Sequence, residues 1–455
     1  MELSGKRVLV VGLGLTGEAV ARFLLERGAK VKVSDKRPAR DLGRAAQVLA
    51  EKGAGMEAGG HRRESFLEAD LIVPSPGVSP LLPELRAAQE RRIPVLSEVE
   101  LAFRFLKGTV AGVTGSCGKS TTVTLAHKIL REAGLPAFLA GNIGRPLITF
   151  VGRSRPHHIF VTELSSFQLY FIEEFRARVA AFLNVSLNHM DWHSSFEDYF
   201  QSKTKLVLGQ GPGDTAILNR DDPRVWALAG RASSRILGFS RVRPVKRGAC
   251  LEGNRIVLVG EKKEPLMSIR QIPLPGVHNQ ENVMAGVLVG SALGVPPASM
   301  RSSVRSFQGL EHRLEKVAVI RGVAFINDSK ATTVQAARKA AQSFQQRIVL
   351  ILGGRDKGDN FAPLRGLLKR QARRVILIGE AAEKIKAAIR GSAPLEEAGS
   401  MKEAVRAAFQ AASRGDVVLL APACASFDMF RNFEERGRVF KAEVRRLARS
   451  AEGGS

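Results

Sequence analysis

Residues Thr109–Glu132 read TVAGVTGSCGKSTTVTLAHKILRE, and the reading of the whole fold starts there. Thr109–Val113 is a β-rich apolar run, the mark of a buried strand. Gly115-Ser-Cys-Gly-Lys-Ser120 is a loop, and Thr121–Glu132 is a helix. Glycines in such a loop let backbone N–H groups turn inward around phosphate oxygens. The helix N-terminus adds its partial positive charge. Lys119 is placed to reach a β- or γ-phosphate, and the Ser120 hydroxyl to hold Mg²⁺. The general signature GxxxxGK[ST] needs glycine where this chain has Val113, with Gly112 one residue away. A Gly-rich turn that merely opens a helix is the bland alternative. The coincidence of strand, loop, Gly-Lys-Ser and helix favours nucleotide binding.

Outward from this unit, short apolar runs alternate with amphipathic stretches, which predicts parallel sheets with helices on both faces. Upstream, Lys6–Val11 is a strand, Gly12–Gly17 reads GLGLTG, and a helix follows to about Glu26. Lys30–Ser34 is the next strand and ends at Asp35, near the ribose-binding distance of a Rossmann unit. Leu71–Val73 leads into the turn Pro74–Gly77. Downstream, His158–Thr162 and Val179–Asn184 are strands, and 215–271 is rich in short strands and turns. Arg241–Arg247, RVRPVKR, reads as a solvated hairpin. After Gly309 the strands are Val323–Ile326, Ile348–Leu352, Arg374–Ile378 and Asp416–Leu420. Between them lie the helices Val334–Ser343, Glu380–Ile389 and Lys402–Ala412. The fold class is α/β in three domains: a Rossmann-like domain over 1–98, a central P-loop ATPase-type domain over 99–309 and a Rossmann-like domain over 310–455.

Composition sets further bounds. The 455 residues are 44% hydrophobic and 25% charged, an ordinary globular balance. Cys117, Cys250 and Cys424 are scattered and share no metal-ligand spacing, as in a reducing compartment. Cys117 and Cys424 have no activating neighbour in the sequence and read as small buried thiols. The N-terminus has no signal-peptide pattern and no run approaches a membrane span, so the expected location is the cytoplasm. Lys plus Arg outnumber Asp plus Glu by 69 to 44, a net charge of +25, which attracts anions. No aromatic-interleaved basic stripe accompanies it, so nucleic acid is not an expected partner.

Other polar residues carry weaker signals. Glu163 ends a strand beside the phosphate loop, where a carboxylate can ligate Mg²⁺ or simply face solvent. His189, Asp191 and His193 have an HxDxH spacing, but nothing else completes a zinc site. Lys203 and Lys205 sit in a helical stretch and by spacing alone are solvated. Asp328 and Ser329 suit a helix N-cap. The loops at 327–332, 353–357 and 422–427 all follow strands, and together would form one crevice.

These motifs together resemble the Mur ligases of peptidoglycan synthesis, over nearly the whole chain. The family's phosphate loop is a short form, G-x-x-G-K-[ST], which accounts for Val113. The carriers are GLGLTG, SPG at Ser75–Gly77, GNIG at Gly141–Gly144, ELSSFQL at Glu163–Leu169 and NHMDWH at Asn188–His193. They continue with YFQSK at Tyr199–Lys203, HNQEN at His278–Asn282, EHR at Glu311–Arg313, NDSKAT at Asn327–Thr332 and PACASFDMFRNFEERG at Pro422–Gly437. The last two point to the D-glutamate-adding branch.

The resemblance implies an ATP-dependent ligase that joins D-glutamate to UDP-N-acetylmuramoyl-L-alanine through an acyl-phosphate and a tetrahedral intermediate. It places the UDP end at Leu15, Thr16, Asp35, Arg37, Ser75 and Gly77, and the sugar-peptide portion at Asn142. ATP falls to Gly115, Ser116, Cys117, Gly118, Lys119, Ser120 and Thr121, with Asn279, Arg313 and Asp328. Two Mg²⁺ ions fall to Ser120, Glu163, His189 and Lys203, with Lys203 carbamylated so that it offers oxygen to a hard cation. Lys119, Glu163, His189 and Lys203 are then the catalytic set. D-Glutamate falls to Thr332, Lys357, Ser426, Phe427 and Phe433. A monomer is expected. Two features depart from the family: Cys117 stands where asparagine is usual, and the +25 charge is high, which suits weak association with an anionic membrane surface. The rival readings are a folylpolyglutamate synthase-type ligase, a basic ATP-gated nucleic-acid-binding protein and, third, an NAD-dependent dehydrogenase.

Overall fold

The structure, a computed structural model, describes residues 1–452 apart from 191 and 357. The sequence-stretch readings at Asp191 and Lys357 therefore lie outside the described residues. The chain divides into two compact units, one of residues 1–271 with 280–305, the other of 272–279 with 306 onward. Among the described residues it forms three sheets, of four, nine and six strands.

In the first sheet β1 (Arg7–Val11), β2 (Lys30–Asp35), β3 (Gly55–Ala58) and β4 (Leu71–Pro74) lie in the order β3-β2-β1-β4, all parallel. Val8–Val11 is buried without interruption, as a strand covered on both faces must be. The helix Leu15–Glu26 seats directly on β1 because Gly17 has no side chain. A Cβ there would lie 1.9 Å from the Gly12 carbonyl oxygen.

The second sheet contains β5 (Thr109–Thr114), β6 (Ala137–Gly141), β7 (Ile159–Glu163), β8 (Val179–Phe182), β9 (Thr215–Asn219), β10 (Arg235–Ser240), β11 (Gly248–Glu252), β12 (Arg255–Val259) and β13 (Lys263–Ser268). Their order is β13-β12-β11-β10-β9-β8-β5-β7-β6. It is parallel from β6 to β11 and antiparallel through β12 and β13. The hairpin expected at Arg241–Arg247 is absent: β10 and β11 are parallel, Gly238 opposite Gly248. Gly248 makes the return; its φ is +130°, and a Cβ would lie 1.9 Å from Gly238 O. The segment is largely exposed, as expected, with Arg241 half-buried and its Nε donating to Gln280 Oε1 at 3.2 Å. Gly112 has a packing role within β5, where a Cβ would meet Leu164 and Leu206 at 2.9 and 3.0 Å. It is no part of the phosphate loop.

The third sheet, β14 (Glu315–Ile320), β15 (Val323–Asn327), β16 (Ile348–Gly353), β17 (Ala372–Ile378), β18 (Leu395–Glu397) and β19 (Val417–Leu420), has the order β14-β15-β19-β16-β17-β18. Only β14–β15 is antiparallel. Helices Val334–Gln342, Arg365–Gln371 and Ala382–Ala388 cover one face; Met401–Ala411 and Phe433–Glu452 cover the other. No described helix is long and apolar enough to cross a membrane.

Candidate active site

The phosphate loop leaves β5, an interior strand between β8 and β7, and the helix after it starts at Lys119, earlier than the sequence pattern suggests. Gly118 is the reason. It caps the helix in the left-handed region, at φ +84°, so Lys119 and Ser120 fall in the first turn, where backbone N–H groups lack helical partners. A Cβ on Gly118 would lie 2.1 Å from Asn282 Oδ1. Gly118→Ala is therefore expected to shift the loop and lower turnover by about 10²-fold, read in steady-state kinetics with unchanged circular dichroism. Neighbouring strands fix the loop's shape. Asn184 accepts from the Cys117 N–H at 2.9 Å and donates to the Cys117 carbonyl at 3.2 Å. Ser116 Oγ accepts from the Ser186 N–H at 2.9 Å and is hydrogen-bonded to the Tyr199 hydroxyl at 2.8 Å. Lys119 Nζ donates to the carbonyls of Gly115 (2.8 Å) and Ser116 (3.2 Å). The Cys117 thiol is exposed at the loop tip, contrary to the buried thiol expected from sequence. Cys424 is buried as expected, and burial pushes its thiol up to about 12.

Glu163, at the end of β7, is buried, and the GNIG turn folds over it. Asn142 Nδ2 donates to Glu163 Oε1 at 2.8 Å and the Asn142 N–H to the Glu163 carbonyl at 2.9 Å. Among the described residues Glu163 Oε2 is buried with no hydrogen-bond partner. An orphaned carboxylate oxygen is costly unless a cation or donor meets it, so the site's chemistry fits a hard cation. Lys203 is buried too, not solvated as its spacing suggested. It donates to Gly115 O at 3.1 Å and Thr114 Oγ1 at 3.3 Å, with its ammonium 4.8 Å from the Tyr199 ring centre. Burial, then the Lys119 charge, drive its pKa well below the lysine range, against the opposing pull of Glu163. His189 takes a left-handed φ of +58° and its ring packs on Phe167 at 4.7 Å. His193 faces inward, its ring nitrogens hydrogen-bonded to Asp198 and Ser166.

At the N-terminal sheet, Asp35 does not offer a free carboxylate. It accepts from the N–H groups of Leu13 (2.7 Å) and Arg37 (2.9 Å) and from the Arg37 guanidinium. Burial raises its pKa, but the Arg37 bond and the two N–H donors outweigh that and leave it at about 2. Asp35 thus braces the Gly-rich loop. Because its folded pKa lies below the unfolded value near 4, its contribution is present above about pH 4 and is lost as pH falls toward 2. Asp35→Asn is expected to cost about 2 kcal/mol at pH 7, with the gap closing below pH 4 in urea unfolding. Ser75 Oγ donates to Gly12 O at 2.7 Å, while Leu15 and Gly77 are exposed and Thr16 half-buried. The indole of Trp192 donates to Val78 O at 3.1 Å, so the His189 loop and the Ser75–Gly77 turn meet.

In the second unit the loops after β15, β16 and β19 converge. The Ala423 N–H donates to Ala331 O at 2.8 Å, and the Arg355 and Ala425 backbones pair. Arg436, fully buried, ties them: it donates to Ser329 Oγ and O (3.0 and 2.9 Å), Cys424 O (3.2 Å) and Ala425 O (3.1 Å). Thr332, Ser426 and Phe433 border this knot. Ser329 Oγ donates to Phe433 O at 2.8 Å, and Lys330 Nζ lies 4.9 Å from the Phe433 ring centre. Phe427 is 62% exposed, open to a ligand. Asp328 is buried and accepts from the Leu314 N–H at 3.3 Å; burial lifts its pKa to about 6. Arg313, half-buried, directly follows His312, whose φ is +64°. Asn279 Nδ2 donates to Pro275 O at 2.6 Å.

Sequence models of three domains match the chain: the Mur ligase MurD-like N-terminal domain at residues 6–97, the Mur ligase middle domain at 113–290 and the Mur ligase glutamate ligase domain at 312–424. A protein of Acidobacterium capsulatum is 49% identical over 444 residues, 97% of this chain and 96% of that one. This chain belongs to the Mur ligase family. That relative and one from Koribacter versatilis, 45% identical over 98% of this chain and 99% of its own, are both named UDP-N-acetylmuramoylalanine–D-glutamate ligase. Solved structures of two Thermotoga maritima proteins share the fold of this Mur ligase. MurC, a UDP-N-acetylmuramate–alanine ligase, has a TM-score of 0.58, 18% identity and coverage of 98% and 100%. MurF, described in complex with ADP, has a TM-score of 0.57, 16% identity and coverage of 98% and 97%. Two residues that fix this Mur ligase's site escaped the sequence reading. Tyr199 falls one helical turn before Lys203, and Arg436 lies inside the quoted PACASFDMFRNFEERG segment.

Proposed function

We propose that this Mur ligase adds D-glutamate to UDP-N-acetylmuramoyl-L-alanine at the expense of ATP, working as a cytoplasmic monomer with domain boundaries near residues 98 and 309. The names of its relatives support the substrates. The observation that carries the site assignment is Glu163 Oε2, buried and without a hydrogen-bond partner among the described residues, beside a phosphate loop and the buried Lys203. Among the described residues no three His, Cys, Asp or Glu side chains are grouped to hold a metal. Magnesium here would therefore draw on Ser120, Glu163, His189, nucleotide oxygens and a carbamylated Lys203. The low pKa of Lys203 supports that modification: the neutral amine attacks CO₂ and releases a proton. Bound magnesium would neutralise charge on the transferring phosphoryl group.

The loop N–H groups and Lys119 orient the γ-phosphate, and Asn142 aligns Glu163 while facing the sugar-peptide portion. The alanine carboxylate oxygen attacks the γ-phosphorus and ADP leaves. The amine of D-glutamate, held near Thr332, Lys357, Ser426, Phe427 and Phe433, attacks the acyl carbon. The tetrahedral intermediate expels phosphate and the amine proton passes to solvent. No covalent enzyme intermediate is required, so catalysis rests on positioning and electrostatics. The test is mass spectrometry of the UDP compound after turnover. One added glutamyl residue supports the reading; an unchanged mass with ATP consumed refutes it.

A further inference from the structure

The net charge of +25 exceeds what two nucleotide-bearing substrates call for. Part of it is organised on the helix Phe433–Glu452. That helix buries Phe440 and Val444 against β14 and β15. The ridge directly opposite consists of Arg438, Ala442, Arg445 and Arg449, all exposed. No acid stands between Arg438 and Arg449 on that ridge, although Glu435, one turn before Arg438, and Glu311 feel the Arg438 charge. Arg438, Arg445 and Arg449 form no ion pair among the described residues; the neighbouring Arg446 is paired with Glu443 and Lys441 with Glu311 and Glu315. Arg321, in the β14–β15 turn, is not part of the row: its Nη2 reaches Ala451 O at 3.5 Å, on the face of the helix that packs against the sheet. At 1.5 Å per residue the row from Arg438 to Arg449 is roughly 17 Å long.

We propose that this arginine ridge docks the enzyme on an anionic lipid bilayer, each guanidinium meeting headgroup phosphates. Charge complementarity carries the proposal. Arginine's planar fork binds phosphate oxygens in pairs, and juxtamembrane cations are drawn to anionic leaflets over a screening length of about 10 Å. The ridge has no aromatic side chain on which a nucleobase could stack, which favours a bilayer over single-stranded nucleic acid. It also has no large apolar side chain, so the contact is peripheral and reversible by salt. The alternative is an ordinary solvated helix face, as charged ridges commonly are.

The full-length enzyme would be sedimented with vesicles of phosphatidylglycerol and phosphatidylcholine, and with vesicles of phosphatidylcholine alone. Binding to the anionic vesicles at low salt is expected, with loss of at least about tenfold in affinity at 0.5 M salt. The variant Arg438→Glu, Arg445→Glu, Arg449→Glu should lose it as well, with ligase activity in solution unchanged. The control Lys30→Glu, Lys52→Glu, Arg91→Glu changes the net charge equally on other exposed side chains and should retain most of the binding. Equal binding to both vesicle types, or equal loss in both variants, would overturn the proposal. Tighter binding to a 30-base-pair duplex than to the anionic vesicles, abolished by the ridge variant, would reassign the ridge to nucleic acid.

Discussion

Lys119→Ala is expected to lower phosphate release by about 10³-fold, mostly in kcat, in the range seen when a donor to a developing oxyanion is removed. The lysine stands at the first helical position, and its ammonium already bridges the carbonyls of Gly115 and Ser116. It holds the loop in shape and, in the proposed reaction, would bring a fixed charge to the γ-phosphate. Lys119→Arg should not restore activity, because a planar fork does not replace a compact charge between two carbonyls. A second readout separates charge from shape. Lys119 is the nearby cation that helps depress the Lys203 pKa. Removing it should move the Lys203 titration upward, measurable by the pH dependence of acylation at lysine. A KM-only effect with normal kcat would contradict the role given to Lys119.

Arg436→Ala is expected to cost about 4 kcal/mol, near the upper end of single-residue effects. The change opens a cavity at a fully buried position and strips donors from three carbonyls and a hydroxyl. Burial lowers the guanidinium pKa to about 10 against the pull of Asp428, still charged at neutral pH, so these acceptors carry a desolvated cation that forms no ion pair among the described residues. Urea unfolding should show the loss in the second unit, and the KM for the amino acid should rise because three loops lose their common tie. Arg436→Lys should be intermediate, as one ammonium cannot span Ser329, Cys424 and Ala425 together. Wild-type stability in Arg436→Ala would contradict this account.

The parallel sheets were legible because strands buried on both faces read as unbroken apolar runs, as in Val8–Val11 and Ile348–Leu352. The phosphate loop was legible because its signature is local. What escaped reading depended on contacts distant in sequence. Gly112 looked like a displaced loop glycine and is instead the space for Leu164 and Leu206. Arg241–Arg247 looked like a hairpin because nothing local reveals that Gly248 must pass Gly238 so closely. Asp35 stood at the ribose-binding distance, but only the fold brings Leu13 and Arg37 to its carboxylate. Lys203 did leave a trace. Tyr199, Lys203 and Leu206 fall on one helical stripe, and a lysine on an apolar stripe is a buried-lysine signal. Arg436 left none, since its partners lie on loops about 11 and 107 residues away.

The most direct test is phosphate release from ATP and Mg²⁺ with UDP-N-acetylmuramoyl-L-alanine, comparing D-glutamate, L-glutamate and no amino acid. Release that requires D-glutamate and vanishes in Lys119→Ala is the predicted result. Release of equal rate with L-glutamate or with no amino acid would contradict the central claim that this site joins D-glutamate to the acyl-phosphate.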